Sequence, residues 1–481
     1  MHVNANQKVS QKSNPKAHPE ANYRLPQVEQ LLQQDFLSPF IKSLSRPVVT
    51  MVIRDYFTQI RQSESFKHAG VDGLDITQAL SSRLHGVLLQ RQTAVINATG
   101  TIIHTNLGRS PIDPALWDAV KAVNTGYNNL ELKLEDGKRG QRKGLLDTLL
   151  CALTGAEAGL LVNNNACSIY LLLHALAKGK EVIVSRGEQI QIGGGFRIPD
   201  ILALSGAKLV EVGTTNITTA DDYIEAITDN TAMVLIVHQS NFVIRGFTES
   251  ADIKELSRRL PKEVILAVDQ GSGVTNEPHF PEEKSVIKYI ASGADLVCFS
   301  GDKILGGPQA GIICGDASLV QRLEKNPMMR AFRPGRVVLS LIEELLVRKL
   351  NEQESGRGIS ERQVAQLSST LNKADRLTQL FPNHIEICPL KAVVGGGTLP
   401  DIDYDCWGVI LAGDPLKLSR ELRLASTPII GVIQRDKFIL NLASVTDSDF
   451  ELLILQLEDY LYLKEGFIDG HCRGEQVRTV V

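Results

Sequence analysis

Residues 295–311 read DLVCFSGDKILGGPQAG, and the break inside this stretch carries the reading of the whole chain. Leu296 to Ser300 make a short, nearly continuous apolar run, the pattern of a strand buried on both faces. It gives way at once to Gly301-Asp302-Lys303 and a glycine-rich turn. A lysine delivered to a buried strand end is a candidate nucleophile towards an aldehyde, because burial and neighbouring cations favour its neutral amine. A solvated turn lysine fits the same local pattern, so the neighbouring segments have to decide between them.

The same punctuation recurs along the chain. Gly159 to Asn163, Val182 to Ser185, Lys208 to Val212, Met233 to His238, Val264 to Asp269, Leu296 to Ser300 and Gly311 to Cys314 are short Val/Ile/Leu-rich runs separated by helical stretches. Over residues 91–335 they predict an α/β domain with a mainly parallel sheet, in which ligands collect at the carboxyl ends of the strands. Residues 1–22 are polar and expected to be disordered. Residues 23–90 carry three apolar helical faces: Val28, Leu31, Leu32 and Phe36; Val48 to Ile60; and Ile76 to Leu89. A long helical region, 336–381, is expected to link the large domain to a smaller α+β domain over 382–481. Its strands are Trp407 to Leu411, Ile429 to Val432 and Phe438 to Leu442, with a helix from Leu416 to Leu424.

Composition narrows the classes. A net charge of −4 speaks against a generally basic nucleic-acid binder, yet residues 1–91 hold eleven Lys/Arg against seven Asp/Glu. That asymmetry fits either a polyanionic partner for the N-terminal part or a solvated helical face. No stretch approaches a transmembrane span and the first residues lack the apolar core of a signal peptide, so a cytoplasmic protein is expected. The seven cysteines have neither CxxC spacing nor a histidine cluster, which predicts no disulfide framework and no metal site.

The residues just after each run carry the chemistry. Asn163-Asn164-Asn165-Ala166 opens a helix, and free amides there suit a phosphate; an ordinary asparagine cap is the plainer role. Asp269 ends VILAVD, where a carboxylate can pair with a pyridinium nitrogen and keep it protonated, although an N-cap or magnesium ligand fits the residue equally. With Lys303, such a carboxylate is what pyridoxal phosphate needs. His238 and Asn241 follow the preceding strand and are candidates to lie by the ring and bond its phenolic oxygen; His238 also fits as a core histidine. Arg109 in NLGRS, and Arg330 and Arg333 in RAFR, offer guanidinium forks to a tetrahedral oxyanion or simply to solvent.

Together INATGTIIHTNLGRSP (96–111), VNNNA (162–166), SRGEQIQIGGGFRIPDI (185–201), EVGTTN (211–216), SNF (240–242), DQGSG (269–273) and SGDKILGGPQAGII (300–313) resemble the blocks of the bacterial L-seryl-tRNA(Sec) selenium transferases, in that family's order. The likeness runs from about Leu25 to Leu455. It implies a fold-type I pyridoxal phosphate enzyme of aspartate aminotransferase-like architecture, with an N-terminal domain that engages tRNA. Lys303 is implied to form the internal aldimine and Asp302 to support activity. Asp269, Asn164, Asn165, Ala166, Asn241, Ser300 and His238 surround the cofactor in this reading, and Arg109, Arg330 and Arg333 bind the donor, selenophosphate. The implied reaction removes the β-hydroxyl of serine on tRNA, passes through a dehydroalanyl intermediate and adds selenium at Cβ. A ring built from dimers, a homodecamer, is the implied assembly.

Three positions depart from the family pattern: Ala443 in NLAS stands where an arginine is usual, GQRKGL (140–145) lacks a tyrosine and a histidine after its arginine, and AFRPGR (331–336) follows the RAxR motif differently. Two other functions fit the same residues, β-elimination or replacement on a free small amino acid, and a non-catalytic tRNA-binding paralogue.

Overall fold

The computed structural model describes residues 24–63, 75–192, 195–239, 242–400 and 402–465, and the chain divides into two compact units, Met1–Ala94 and Val95–Val481. In the first unit the described helices are Val28–Leu31, Ser38–Leu44, Arg46–Gln62 and Ile76–Leu88, closed around Leu31, Leu37, Val49, Ile53, Phe57 and Leu80. The second apolar stretch, Val48 to Ile60, lies within the helix Arg46–Gln62, and Ser38–Leu44 is a further helix ahead of it. Ser45, at φ +79, turns the chain, and a proline lies in the first turn of each of the two helices it separates.

The second unit is built on strands β1 (Thr101–Ile103), β2 (Ala158–Val162), β3 (Glu181–Ser185), β4 (Lys208–Val212), β5 (Thr231–Val237), β6 (Ile265–Gly271), β7 (Leu296–Ser300), β8 (Gly311–Gly315), β9 (Ile385–Gly395), β10 (Tyr404–Leu411), β11 (Val432–Gln434) and β12 (Lys437–Asn441). Seven of them form one sheet in the order β2-β8-β7-β6-β5-β3-β4, with β8 alone running antiparallel. Each predicted run of the large domain is one of these strands. β2, β5, β7 and β8 are buried at every position because helices cover both faces of the sheet, which is why they read as continuous apolar runs. Two apolar clusters fill the two sides of the sheet, one around Leu150, Val234, Phe299 and Ile342, the other around Leu172, Val184, Leu235 and Ile313.

A second sheet has the order β11-β12-β10-β9-β1, so Thr101–Ile103, far away in sequence, pairs parallel with β9. The region 336–381 is not one long helix but Arg336–Leu350, Ile359–Ala365 and Thr370–Leu380. The interruption lets Gly358 lie against Gly306 in the turn after Lys303, so closely that a Cβ on Gly306 would sit 2.4 Å from the Gly358 Cα. A continuous helix with side chains there would push that turn away.

Candidate active site

Because β5, β6 and β7 are parallel, and β2 runs the same way across β8, their carboxyl ends share one edge of the sheet. That edge gathers Asn163-Asn164-Asn165, His238, Asp269 and Ser300-Gly301-Asp302-Lys303. Register does the rest: Asp269 lies opposite both Val237 and Cys298. The turn that carries Lys303 is closed by Gly301 N–H to Ala310 O and Gly306 N–H to Lys303 O, 2.9 and 3.1 Å. Gly311 lets the Asn164 backbone press onto β8, since a Cβ there would fall 2.2 Å from Asn164 O and 2.3 Å from Ser168 Oγ.

Around this turn the polar groups interlock. The Asn165 amide donates to Asp269 Oδ1 at 2.8 Å, and the His238 N–H donates to Asp269 O at 2.9 Å. The Asn164 side chain caps the Asn165–Leu176 helix by accepting from Cys167 N–H, and Ala166 lies in the first turn, whose leading amides have no intrahelical partner. Arg109 Nη1 lies 2.8 Å from Asp302 Oδ2, and the Ser110 N–H donates to Asp302 O at 3.2 Å, so one loop grips Asp302 twice. Burial first, and then the Arg109 charge, push the Lys303 amine below its usual range, while Asp269, Asp302 and Glu283 pull it back. Burial pushes the Asp269 carboxyl up, against the Asn165 hydrogen bond and the Lys303 and His238 charges. Ser300 is buried at the end of β7. Asn241 lies outside the described residues.

Arg330 and Arg333 stand at a neighbouring position. Their turn, Met329–Phe332, is tied to the end of β2 by Asn163 N–H to Phe332 O at 2.9 Å and Asn163 Nδ2 to Ala331 O at 3.2 Å. They line a cavity of about 590 Å³ together with Arg139, Arg142, Lys143 and Glu131, and neither Arg109 nor Lys303 lines it. Within one chain, then, the three arginines fall into two groups, Arg109 on Asp302 and the RAFR pair on this cavity. Sequence reasoning missed Glu283, which is buried with its Oε1 3.4 Å from His238 Nδ1, and Glu131. Both sit in irregular segments, where neither periodicity nor a strand end marks them. Ala443 lies in the short turn Leu442–Ser444, buried in an apolar cluster with Ile103, Val394 and Ile304, and therefore brings no charge near Lys303.

The residues at the strand ends fit pyridoxal phosphate. A half-buried lysine with a depressed pKa and a buried carboxylate interact at one edge of the sheet, and a helix start beside them has amides without intrahelical partners to offer a phosphate. Among the described residues, two buried polar atoms there, Asn165 Oδ1 and Asp302 Oδ1, have no hydrogen-bond partner within the chain. Such atoms are costly unless a bound group satisfies them.

The fold is that of the fold-type I, pyridoxal phosphate-dependent transferases. Among solved structures the chain is similar to D-glucosaminate-6-phosphate ammonia-lyase, with a TM-score of 0.54 at 18% identity, covering 81% of this chain and 99% of that one. Residues 95–446 match the family model for L-seryl-tRNA selenium transferase. Relatives called L-seryl-tRNA(Sec) selenium transferase include that of Desulfotalea psychrophila, 42% identical over 386 residues (76% of this chain, 82% of the relative). Those of Carboxydothermus hydrogenoformans and Aquifex aeolicus are 36% identical over 453 residues and 40% over 385, spanning 91% and 76% of this chain and 97% and 84% of theirs. The chain belongs to the L-seryl-tRNA selenium transferase family.

Proposed function

We propose that this chain converts L-seryl-tRNA(Sec) to L-selenocysteinyl-tRNA(Sec) with selenophosphate as donor. The observation that carries the reading is the half-buried Lys303, its amine pKa lowered, within charge range of the buried Asp269 at the carboxyl edge of the sheet, in a chain of this family. When bound, pyridoxal phosphate supplies an electron sink for the bonds at the serine Cα.

The chain's own groups do the rest. Lys303 Nζ would hold the cofactor through its aldehyde, and its neutral amine is the base for the proton on the serine Cα. Asp269, its orientation fixed by the Asn165 amide, would pair with the ring nitrogen. The start of the Asn165–Leu176 helix receives the cofactor's phosphate. His238 and Asn241 complete the ring's surroundings, and Ser300 ends the strand that carries the lysine. The β-hydroxyl leaves from Cβ with a proton and selenium takes its place, its phosphate carrier held by Arg330 and Arg333, while Arg109 stays on Asp302 beside Lys303. The N-terminal unit, positively charged in sequence, engages the tRNA backbone. Among the described residues no single helix is long and apolar enough to cross a membrane, and the reading includes a cytoplasmic enzyme assembled as a ring of dimers.

The test is direct. The purified protein should take up pyridoxal phosphate and absorb near ~420 nm, and Lys303→Ala should abolish the band; a colourless protein that binds no cofactor sinks the reading. Removing residues 1–94 should leave the band and abolish binding of the charged tRNA.

A further inference from the structure

The arginine cavity already contains an anion of the chain's own. Glu131 Oε2 lies 3.0 Å from Arg139 Nη2, and its Oε1 lies 3.0 Å from Arg142 Nε and 3.7 Å from Arg333 Nη1. The geometry is built by a reversal of the chain: Leu132 bridges Arg139, and the Gly140 N–H returns to Glu131 O at 2.9 Å, which brings 139–142 back beside the carboxylate. Arg333 reaches the same carboxylate from the turn after Met329–Phe332. Five cations, Arg139, Arg142, Lys143, Arg330 and Arg333, therefore line the cavity. Of the two carboxylates there, Glu324 is taken by Lys143 at 3.1 Å, and Glu131 alone meets the arginines.

A carboxylate presents two oxygens to guanidinium forks much as a phosphate does. We propose that Glu131 is an internal stand-in for the tetrahedral anion: it keeps Arg142 and Arg333 spread and charge-balanced while the cavity is empty, and the incoming phosphate group must displace it. This rests on the reading of Arg330 and Arg333 as donor ligands, and it adds Arg142, the arginine of the GQRKGL segment, to the anion site. Glu131 acts as an affinity-setting residue and takes no part in bond making. Its displacement is a fixed cost that every anion must meet. A phosphate dianion gains more from the cations than a monoanion does, so the cavity favours the more highly charged ligand.

The test uses the cofactor-loaded full chain, so that the cofactor's own phosphate subsite is filled, with inorganic phosphate as probe in calorimetric titration. Glu131→Gln keeps the size of the side chain and removes its charge, and it should bind phosphate about tenfold more tightly, in line with the loss of partly exposed ion pairs. The KM for selenophosphate should fall with kcat little changed. Glu131→Ala should move both quantities in the same direction. Unchanged or weaker phosphate binding by both variants overturns the stand-in role. Arg333→Ala is the separate arm: if it leaves phosphate binding intact, the cavity is not the donor site and the underlying reading fails, whatever Glu131 does.

Discussion

The Arg109 guanidinium lies 2.8 Å from the carboxylate of Asp302, the residue that precedes Lys303. Arg109 holds this position with a left-handed backbone, φ +67, its N–H bonded to His104 O at 3.1 Å. Such a conformation costs a non-glycine residue about 1 kcal/mol or more, so the contact is one that the surrounding loop enforces. Asp302 is nearly buried whereas Arg109 is one-third exposed. Removing the cation should therefore cost about 2 kcal/mol, less than the loss of a partner costs a fully buried pair, because Arg109 reaches solvent.

The pair also tunes Lys303, and its two members act with opposite sign. Arg109 lowers the lysine's pKa and Asp302 raises it. Only the neutral amine attacks an aldehyde, so Arg109→Ala should move the pH profile of pyridoxal phosphate uptake to higher pH and Asp302→Asn to lower pH. Rapid-mixing absorbance across pH reads both. Shifts in the same direction would show that the pair does not act on Lys303 through charge.

Asp269 is a buried carboxylate of the site, and Asp269→Asn keeps its shape and loses its charge. An unmatched ring nitrogen in a buried setting corresponds to about a hundredfold loss in turnover or cofactor affinity, on the scale of a broken buried pair. Equilibrium binding of the cofactor, together with the steady-state rate, checks this. An Asn variant as active as the parent would remove Asp269 from the site.

Gly311→Ala sets a Cβ against Asn164 O and Ser168 Oγ, where backbone cannot move without disturbing the helix start. Overpacking of this kind costs about 1–3 kcal/mol. The expected outcome is a lower denaturation midpoint together with weaker cofactor binding. A loss of stability with unchanged cofactor affinity would separate the helix start from phosphate recognition.

Glu188, in the SRGEQ block, supplies a pH-dependent stability term. Burial pushes its carboxyl from 4.5 up to about 8, against hydrogen bonds from the Val237 N–H and Tyr223. The folded state therefore keeps a proton that the unfolded chain releases, and the resulting stability is complete below pH 4.5 and lost as pH rises through about 8. Glu188→Gln should flatten that loss in chemical denaturation measured across the same window. A variant whose stability falls with pH as steeply as the parent's would contradict the assignment.

Most of the central sheet is legible from the sequence because both of its faces are covered, so each strand announces itself as an apolar run with a polar end. The same property exposes Lys303 and Asp269, each placed where such a run stops. The second sheet is harder to read. β9 carries Pro389 and alternates in burial, and its proline is tolerated because β1 pairs only with the far end of that strand, from Val393 to Gly395, leaving the Pro389 side on an open edge. β1 itself is three residues long and its partners are nearly three hundred positions away, a pairing no local pattern encodes. Glu131 and Glu283 have the same difficulty: what makes them matter is the cation or histidine that another segment brings to them.

The central claim is that Lys303 works on serine attached to tRNA. Transfer of labelled selenium from selenophosphate should be measured with seryl-tRNA(Sec) and with free serine, for the parent protein and for Lys303→Ala. Selenium entering the tRNA-bound residue but not free serine, and lost entirely in the variant, is the expected result. Turnover of free serine with none of the tRNA, or transfer that survives in Lys303→Ala, would contradict it.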